Sequence, residues 1–457
     1  MSHQLFSSQR VMMPEGERPA CVVVRAGRIV DILPYDGPRP PADQQHDFGD
    51  RVLMPGLVDS HVHINEPGRT DWEGFDTATH AAAAGGITSL VDMPLNCIPV
   101  TISAAAFAAK QAVLAGKLWV DAGFWGGATA DNLTELPALL AAGVLGVKSF
   151  TIDSGIDEFQ SVNEAQLTLA MRQLARRDLP HLIHAELDHS PAEPMSIPTS
   201  YQGFLSSRPA RWENDAVALV IRVMRQLVSE GLTPRAHIVH LSSAQALPMI
   251  RAARAEGLLL SCETCPHYLV LAAETIPDGQ ASYKCCPPIR EQSNQESLWQ
   301  GLLDGSIDCI VSDHSPCTPN LKNLDSGDIE NAWGGISGLQ FGLSLIWTAA
   351  RQRGMPLTDL VRLMAQRPAE LCGLTDKGAI AIGQQADFCV FAPEQRFTVS
   401  AEIIQHRHKV SPYLGHQLTG VVRSTWLAGE LIYSNEDRPH FPGPARGRAL
   451  LAEQESN

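Results

Sequence analysis

Residues 55–68 read PGLVDSHVHINEPG, an apolar strand-like run that ends in His61-Val62-His63 and passes at once into polar, turn-forming residues. Alternate side chains of a strand share a face, so His61 and His63 can point together at one ion from the strand's end. Imidazole suits zinc and its first-row neighbours. Alone, such a pair more often stays solvated or hydrogen-bonded without metal. The other ligands have to come from the rest of the chain.

From Pro55 to about Gly378, short β-branched or apolar runs alternate with longer Ala/Leu-rich stretches of helical period, which is a βα rhythm. The strand-like runs are Gly56–Val62, Ile87–Met93, Leu118–Trp125, Val144–Phe150, His181–Ala185, Ala236–Leu241, Leu258–Glu263 and Ile307–Asp313. Eight parallel strands with intervening helices predict an α/β (β/α)8 barrel whose active site lies at the C-terminal strand ends. The two ends of the chain resemble each other. VVVRAGRIVDI (Val22–Ile32) and STWLAGELIYS (Ser424–Ser434) each read strand, Gly-containing turn, strand. With ADFCVFAP (Ala386–Pro393) they predict a small β-sandwich built from both termini, two unrelated edge hairpins being the alternative. The expected division is 1–54 and 379–457 for the sandwich and tail, and 55–378 for the barrel. No tandem repeat or low-complexity tract is visible.

The chain of 457 residues is long enough to bury a large core without staples. No apolar run approaches the ~20 residues needed to cross a bilayer, and the first residues lack the basic flank and apolar centre of a signal peptide. A cytoplasmic protein is expected. A net charge of -15 argues against nucleic acid and anionic membranes as partners, and fits poorly with a highly anionic substrate. The 10 cysteines are scattered, so reduced, mostly buried thiols are expected. Cys262 and Cys265 have CxxC spacing but no second pair, and packing is the expected role.

Placing the ionisable residues on the predicted strands adds to the histidine pair. His61 and His63 end the first strand, Lys148 the fourth, His184 the fifth, His240 the sixth and Asp313 the eighth, so all six fall on the catalytic rim. A lysine inside GVLGVKSF is expected to be buried, where an ammonium is costly unless it pairs or loses its proton. A neutral lysine amine can take up carbon dioxide as a carbamate, whose two oxygens bridge cations as a carboxylate does. Four histidines, one carbamate and one aspartate would hold two cations, a site able to acidify water and polarise a carbonyl. Asp313 can touch one ion and carry a proton to a leaving nitrogen. That is amide-hydrolysis chemistry.

HVH, the lysine of VKSF, IHAE, IVHLSSA and SDHSP resemble the amidohydrolase superfamily in its cyclic amidohydrolase branch, over nearly the whole chain. Within the branch, HVHINEPG, DMPLN, KSFTIDSG, CETCPHYL, KCCPPIR, VSDHSPCTP and AWGGISGLQ are most similar to the allantoinase group. The resemblance implies hydrolysis of the ring amide of allantoin to allantoate in purine catabolism, by a homotetramer with two divalent ions per subunit, zinc expected, and a carbon dioxide-derived carbamate on Lys148. Hydantoinase or dihydropyrimidinase activity is the alternative, and a non-catalytic scaffold a more distant one. Dihydroorotases carry a carboxylate-gripping arginine two positions after the second histidine, where this chain has Asn65, which suits a neutral hydantoin. Hydantoinases carry a tyrosine where Asp153 stands, and a serine in place of Cys286.

The same comparison offers Asn65, Asn96, Cys286, Gly334 and Gly335 as substrate contacts, the glycines because they admit close backbone approach. A plain turn at the glycines and a loop-capping role for Asn96 are equal alternatives. His267 is expected to be structural, His314 to face away from Asp313, and His406-Arg407-His408-Lys409 to form a solvated or interdomain face.

Overall fold

The computed structural model describes residues 3–189 and 197–452. Strands β1 (Gln4–Met13), β2 (Gly16–Arg25), β3 (Arg28–Pro34), β4 (Gln44–Asp47) and β5 (Val52–Pro55) open the chain. The barrel strands follow as β6 (Leu57–Val62), β7 (Ile87–Asp92), β8 (Asp121–Phe124), β9 (Gly126–Gly127), β10 (Val147–Phe150), β11 (Pro180–His184), β12 (Arg235–Ile238), β13 (Leu259–Thr264) and β14 (Cys309–Ile310). The chain closes on β15 (Phe388–Thr398), β16 (Gln417–Leu427) and β17 (Glu430–Ser434).

All eight predicted barrel strands are present, and every pairing among them is parallel. The predicted strand Leu118–Trp125 is β8, and β9 follows just past its end after a break at Trp125, where the amide of Leu145 donates to Phe124 O at 3.0 Å. A parallel bridge between Val62 and His314 closes the barrel. Helices cover the strands with apolar faces of helical period. The helix Ala210–Ser229, for instance, buries Trp212, Ala216, Val217, Val220, Val223, Met224 and Leu227.

Two strand ends, those of β14 and β12, fall clearly short of the pattern. The ladder stops at Ile310 rather than Asp313, because the Ser312 amide donates to the Asp59 carboxylate at 3.1 Å and Asp313 turns to φ +43°. β12 stops at Ile238, and His240 takes φ +37° while its amide donates to Glu263 at 3.2 Å. β10 ends at Phe150 as predicted, but Lys148 is its second residue and does not end the strand.

The terminal strands form one continuous sheet in the order β17-β16-β15-β5-β1-β2-β3, with β4 alongside β1. It folds over its own core of Phe6, Val22, Val24, Phe388, Val390 and Trp426, making the β-sandwich beside the barrel. Each such side chain stabilises by about 1.5–3 kcal/mol on burial. Both predicted hairpins turn through Ala-Gly pairs with positive φ, Ala26–Gly27 (51° and 75°) and Ala428–Gly429 (51° and 79°), the handedness that matches strand twist. Buried Lys377 ties the two units together, donating to Asp121 of β8 at 2.8 Å and to Asp387 at 2.7 Å. No helix among the described residues is long and apolar enough to cross a membrane.

Candidate active site

The C-terminal ends of the barrel strands surround a cavity of about 320 Å³. His63, Lys148, His184, His240 and Asp313 line it, with Asn96, Phe150, Cys286, Trp333, Gly334 and Gly335 among the other walls. His61 lies directly behind. Donor atoms of His61, His63 and Asp313 fall within 4.8 Å of one another. The Asp313 carboxylate is 3.2 Å from His61 Nε2 and 3.5 Å from His63 Nε2. The rings of His184 and His240 lie 4.6 Å apart, and His240 is 5.3 Å from His61. The structure therefore brings all six predicted donors to one place.

Their protonation suits cations rather than each other. Burial pushes His63 down to about 4 and His240 well below its usual range, which leaves neutral imidazoles with free lone pairs. Burial works against the charge on Asp313, but His61, His63 and His240 outweigh it and hold the carboxyl well below the ordinary range. Lys148 is fully buried, and its Nζ has no hydrogen-bond partner among the described residues. Burial lowers it to about 8 against the pull of Asp313 and Glu263, so a reactive neutral fraction is within reach. His61 Nε2 and His240 Nδ1 are likewise buried without a partner. Unmet nitrogens converging on an ionised carboxylate fit a metal centre, since buried polar atoms are otherwise nearly always satisfied.

Two carboxylates that the sequence reading passed over orient the histidines. Glu263, at the end of β13, accepts from His61 Nδ1 and, at 3.0 Å, from His237 Nε2. A carboxylate only accepts, so the His61 proton sits on Nδ1 and the Nε2 lone pair faces the site. Ser261 Oγ, 2.7 Å from His237 Nδ1, completes that row. Burial opposes the charge on Glu263, yet His61 and His237 prevail and hold it at about 2. Glu186 does the same for His184, accepting from Nε2 at 2.7 Å, and is itself gripped by Arg208 at 2.6 and 3.2 Å. The signal for both was a glutamate at the end of a barrel strand, Glu263 in CETCPH on the strand next to that of His240 and Glu186 in IHAE just after His184.

The substrate candidates divide. Asn96, Cys286, Gly334 and Gly335 line the cavity, and Asn96 is 3.3 Å from His63 Nδ1. A Cβ on Gly335 would stand 2.2 Å from Ser315 O, which explains the glycine. Asn65 is not on the cavity wall. It is buried, turned to φ +66°, and its amide donates to Pro316 O at 3.1 Å, so it shapes the loop after β6 instead of facing a ligand.

His314 points elsewhere, with Nε2 3.4 Å from Glu73. The 406–409 cluster forms an interdomain face, one of the two readings expected of it, with Arg407 and Lys409 still exposed on its outer side. His406 is buried against the His314 ring at 5.3 Å, the Arg407 amide donates to Glu73, and Lys409 Nζ to two backbone carbonyls, because this segment closes over the barrel. Cys262 and Cys265 are both buried and share no metal-binding group among the described residues; Cys265 instead lies with His267 and Asp313.

Comparison with known proteins agrees with this geometry. The family model described as Amidohydrolase family matches residues 52–432. The chain is 50% identical over 450 residues to an allantoinase of Streptomyces avermitilis, covering 98% of each, and 41% identical over 443 residues to one of Saccharomyces cerevisiae, covering 94% of this chain and 95% of that one. Among solved structures, an L-hydantoinase (dihydropyrimidinase) from Arthrobacter aurescens superposes with a TM-score of 0.90 at 26% identity, covering 99% of this chain and 100% of the other. The chain belongs to the amidohydrolase family.

Proposed function

We propose that this chain hydrolyses the ring amide of allantoin to allantoate, as a cytoplasmic homotetramer. Its barrel would be residues 55–378, and its sandwich 1–54 with 379–457. His61, His63, Lys148 as its carbamate, His184, His240 and Asp313 would hold two divalent ions, zinc being the expected identity. The carbamate forms when the neutral Nζ attacks carbon dioxide, making an N–C bond and releasing a proton. When bound, the ions acidify water and polarise the amide carbonyl.

The residues supply the rest. Ser315 Oγ donates to Asp313 Oδ1 at 2.7 Å and fixes that carboxylate at the cavity floor. Asp313 takes the proton of the attacking water and passes it to the ring nitrogen as the C–N bond breaks. Phe150 stacks on His184 at 4.5 Å and keeps that flank dry.

One observation carries the neutral-substrate reading. Besides Lys148, the cavity is lined by two cations, Arg208 and Lys284. The first is spent on Glu186 in a two-pronged pair, and Lys284 Nζ donates to Glu330 O at 2.8 Å. Arg208 thus has no two-pronged face left for a substrate carboxylate, and Lys284 keeps only a point charge, without the fork that grips both carboxylate oxygens. The ureido arm of allantoin suits the polar Asn96, Asp153, Ser154 and Asn331 on the same wall. The allantoinase names of relatives with 37–50% identity support the choice.

Hydantoinase or dihydropyrimidinase activity is the second reading, favoured by the names of the structural neighbours. A parallel assay of allantoin, hydantoin, dihydrouracil and dihydroorotate decides between them. Allantoin is expected to give the highest kcat/KM, and a preference for either of the next two would overturn the assignment.

A further inference from the structure

We propose that Lys322 is the positioning residue for the substrate-facing wall, aiming backbone N–H donors of that wall at an acceptor oxygen of the substrate. The proposal rests on the cavity being the substrate site. Lys322 itself is not among the residues lining the cavity. It is buried, at 4% exposure, with no carboxylate partner among the described residues. Its Nζ donates to three backbone carbonyls, Lys284 O at 3.0 Å, Trp333 O at 2.9 Å and Gly335 O at 2.5 Å. An ammonium has three N–H groups, and here each has an acceptor. Full satisfaction is what makes such a buried charge tolerable.

Those carbonyls come from two segments far apart in sequence, which the amide of Gly335 also joins by donating to Lys284 O at 2.9 Å. A trans peptide is planar, with its C=O and N–H opposed. Drawing the carbonyls of Lys284 and Trp333 toward Lys322 therefore turns the N–H groups of Cys285 and Gly334 the other way. Both residues line the cavity, and neither amide donates to another group among the described residues. The wall so presented is a pair of preset donors. It selects a substrate carbonyl, of the ring or of its arm, and would serve any cyclic amide poorly if the segments drifted apart.

The test compares wild type with Lys322→Met and Lys322→Arg at measured metal content, on whichever of the four cyclic amides the wild type turns over best. Removing charge-assisted hydrogen bonds predicts a KM raised about 10-fold or more in Lys322→Met, with kcat falling far less and metal content unchanged. Lys322→Arg keeps the charge but not three converging donors, so it should raise KM by a smaller factor. An unchanged KM in a folded variant, or a loss of kcat and metal together, overturns the proposal. Should Lys322→Met not be soluble, the arginine variant decides by the same criterion. Failure of the wild type on allantoin sinks the function proposed above but leaves the Lys322 comparison running on hydantoin or dihydrouracil. If none of the four is turned over, the affinity for hydantoin by calorimetry takes the place of KM.

Discussion

The floor and the wall of the cavity are built on different principles. The floor is made of side chains at or just past barrel strand ends, His61, His63, Lys148, His184, His240 and Asp313, each fixed by the strand or by a buried carboxylate behind it. The wall opposite draws on two loop segments, residues 284–286 on one side and 321 with 331–335 on the other, and their backbone is pinned by Lys322. The floor can dictate the reaction because strand ends hold donors rigidly. The wall can dictate the substrate because loops change without disturbing the barrel. If this division is real, floor substitutions should act on kcat and metal content, and wall substitutions on KM.

The largest effect is expected at Asp313. Asp313→Asn keeps an oxygen for a cation but cannot take a proton, so kcat should fall by about 10²–10⁴-fold, the usual worth of general acid–base catalysis. Steady-state kinetics with metal analysis checks this, and near-normal turnover would break the proton-carrier role. Lys148→Ala comes next, since on the proposed reading it removes the group that would hold both ions. Bound metal should drop and activity should be lost, then partly return with a short carboxylic acid added. A variant that kept both metals and its activity without such an acid would show that the floor does not depend on Lys148.

Most of the floor was legible in the sequence because one rule covers it: ionisable side chains falling at the ends of regularly spaced strand-like runs. The rule misjudged local detail where side chains replace ladder bonds. Asp59 takes the Ser312 amide and Glu263 the His240 amide, so the strands stop early and His240 and Asp313 sit at positive φ. Such strained backbone tends to gather at functional sites. The wall was hardly legible. Backbone donors carry no residue signature, and Lys322 in NLKNL has nothing to mark it as buried. Asn65 misled because its position in the chain suggested a ligand contact, whereas the left-handed turn at this residue sends its amide to Pro316.

Glu263 sharpens the comparison from beneath the floor. Glu263→Gln preserves size but can present an N–H to His61 Nδ1 and so scramble the tautomer. Partners of this kind typically contribute 10- to 100-fold to metal affinity. Competition with a chelator should show faster metal loss by about that factor, while KM for the metal-replete enzyme stays near the wild-type value. A raised KM with unaltered metal retention would mean that Glu263 serves the wall.

Asn96 is where floor and wall meet, and the smallest effect is expected there. It lines the cavity, lies 3.3 Å from His63 Nδ1, and leaves Oδ1 without a partner among the described residues. If His63 binds an ion through Nε2, its proton must sit on Nδ1, and a half-turn of the Asn96 amide presents Oδ1 to receive it. The same amide is also within reach of a ligand in the cavity. Asn96 sits at φ +68°, so replacement by leucine or valine would confound the result with backbone strain, whereas Asn96→Gly deletes the amide and keeps the turn. Loss of one hydrogen bond predicts a change of about 2- to 10-fold. If that change appears in metal retention, Asn96 belongs to the floor through His63. If it appears in KM alone, Asn96 reads the substrate, and Asn96→Asp, which keeps the acceptor but not the donor, should then discriminate a ring N–H contact from a carbonyl contact.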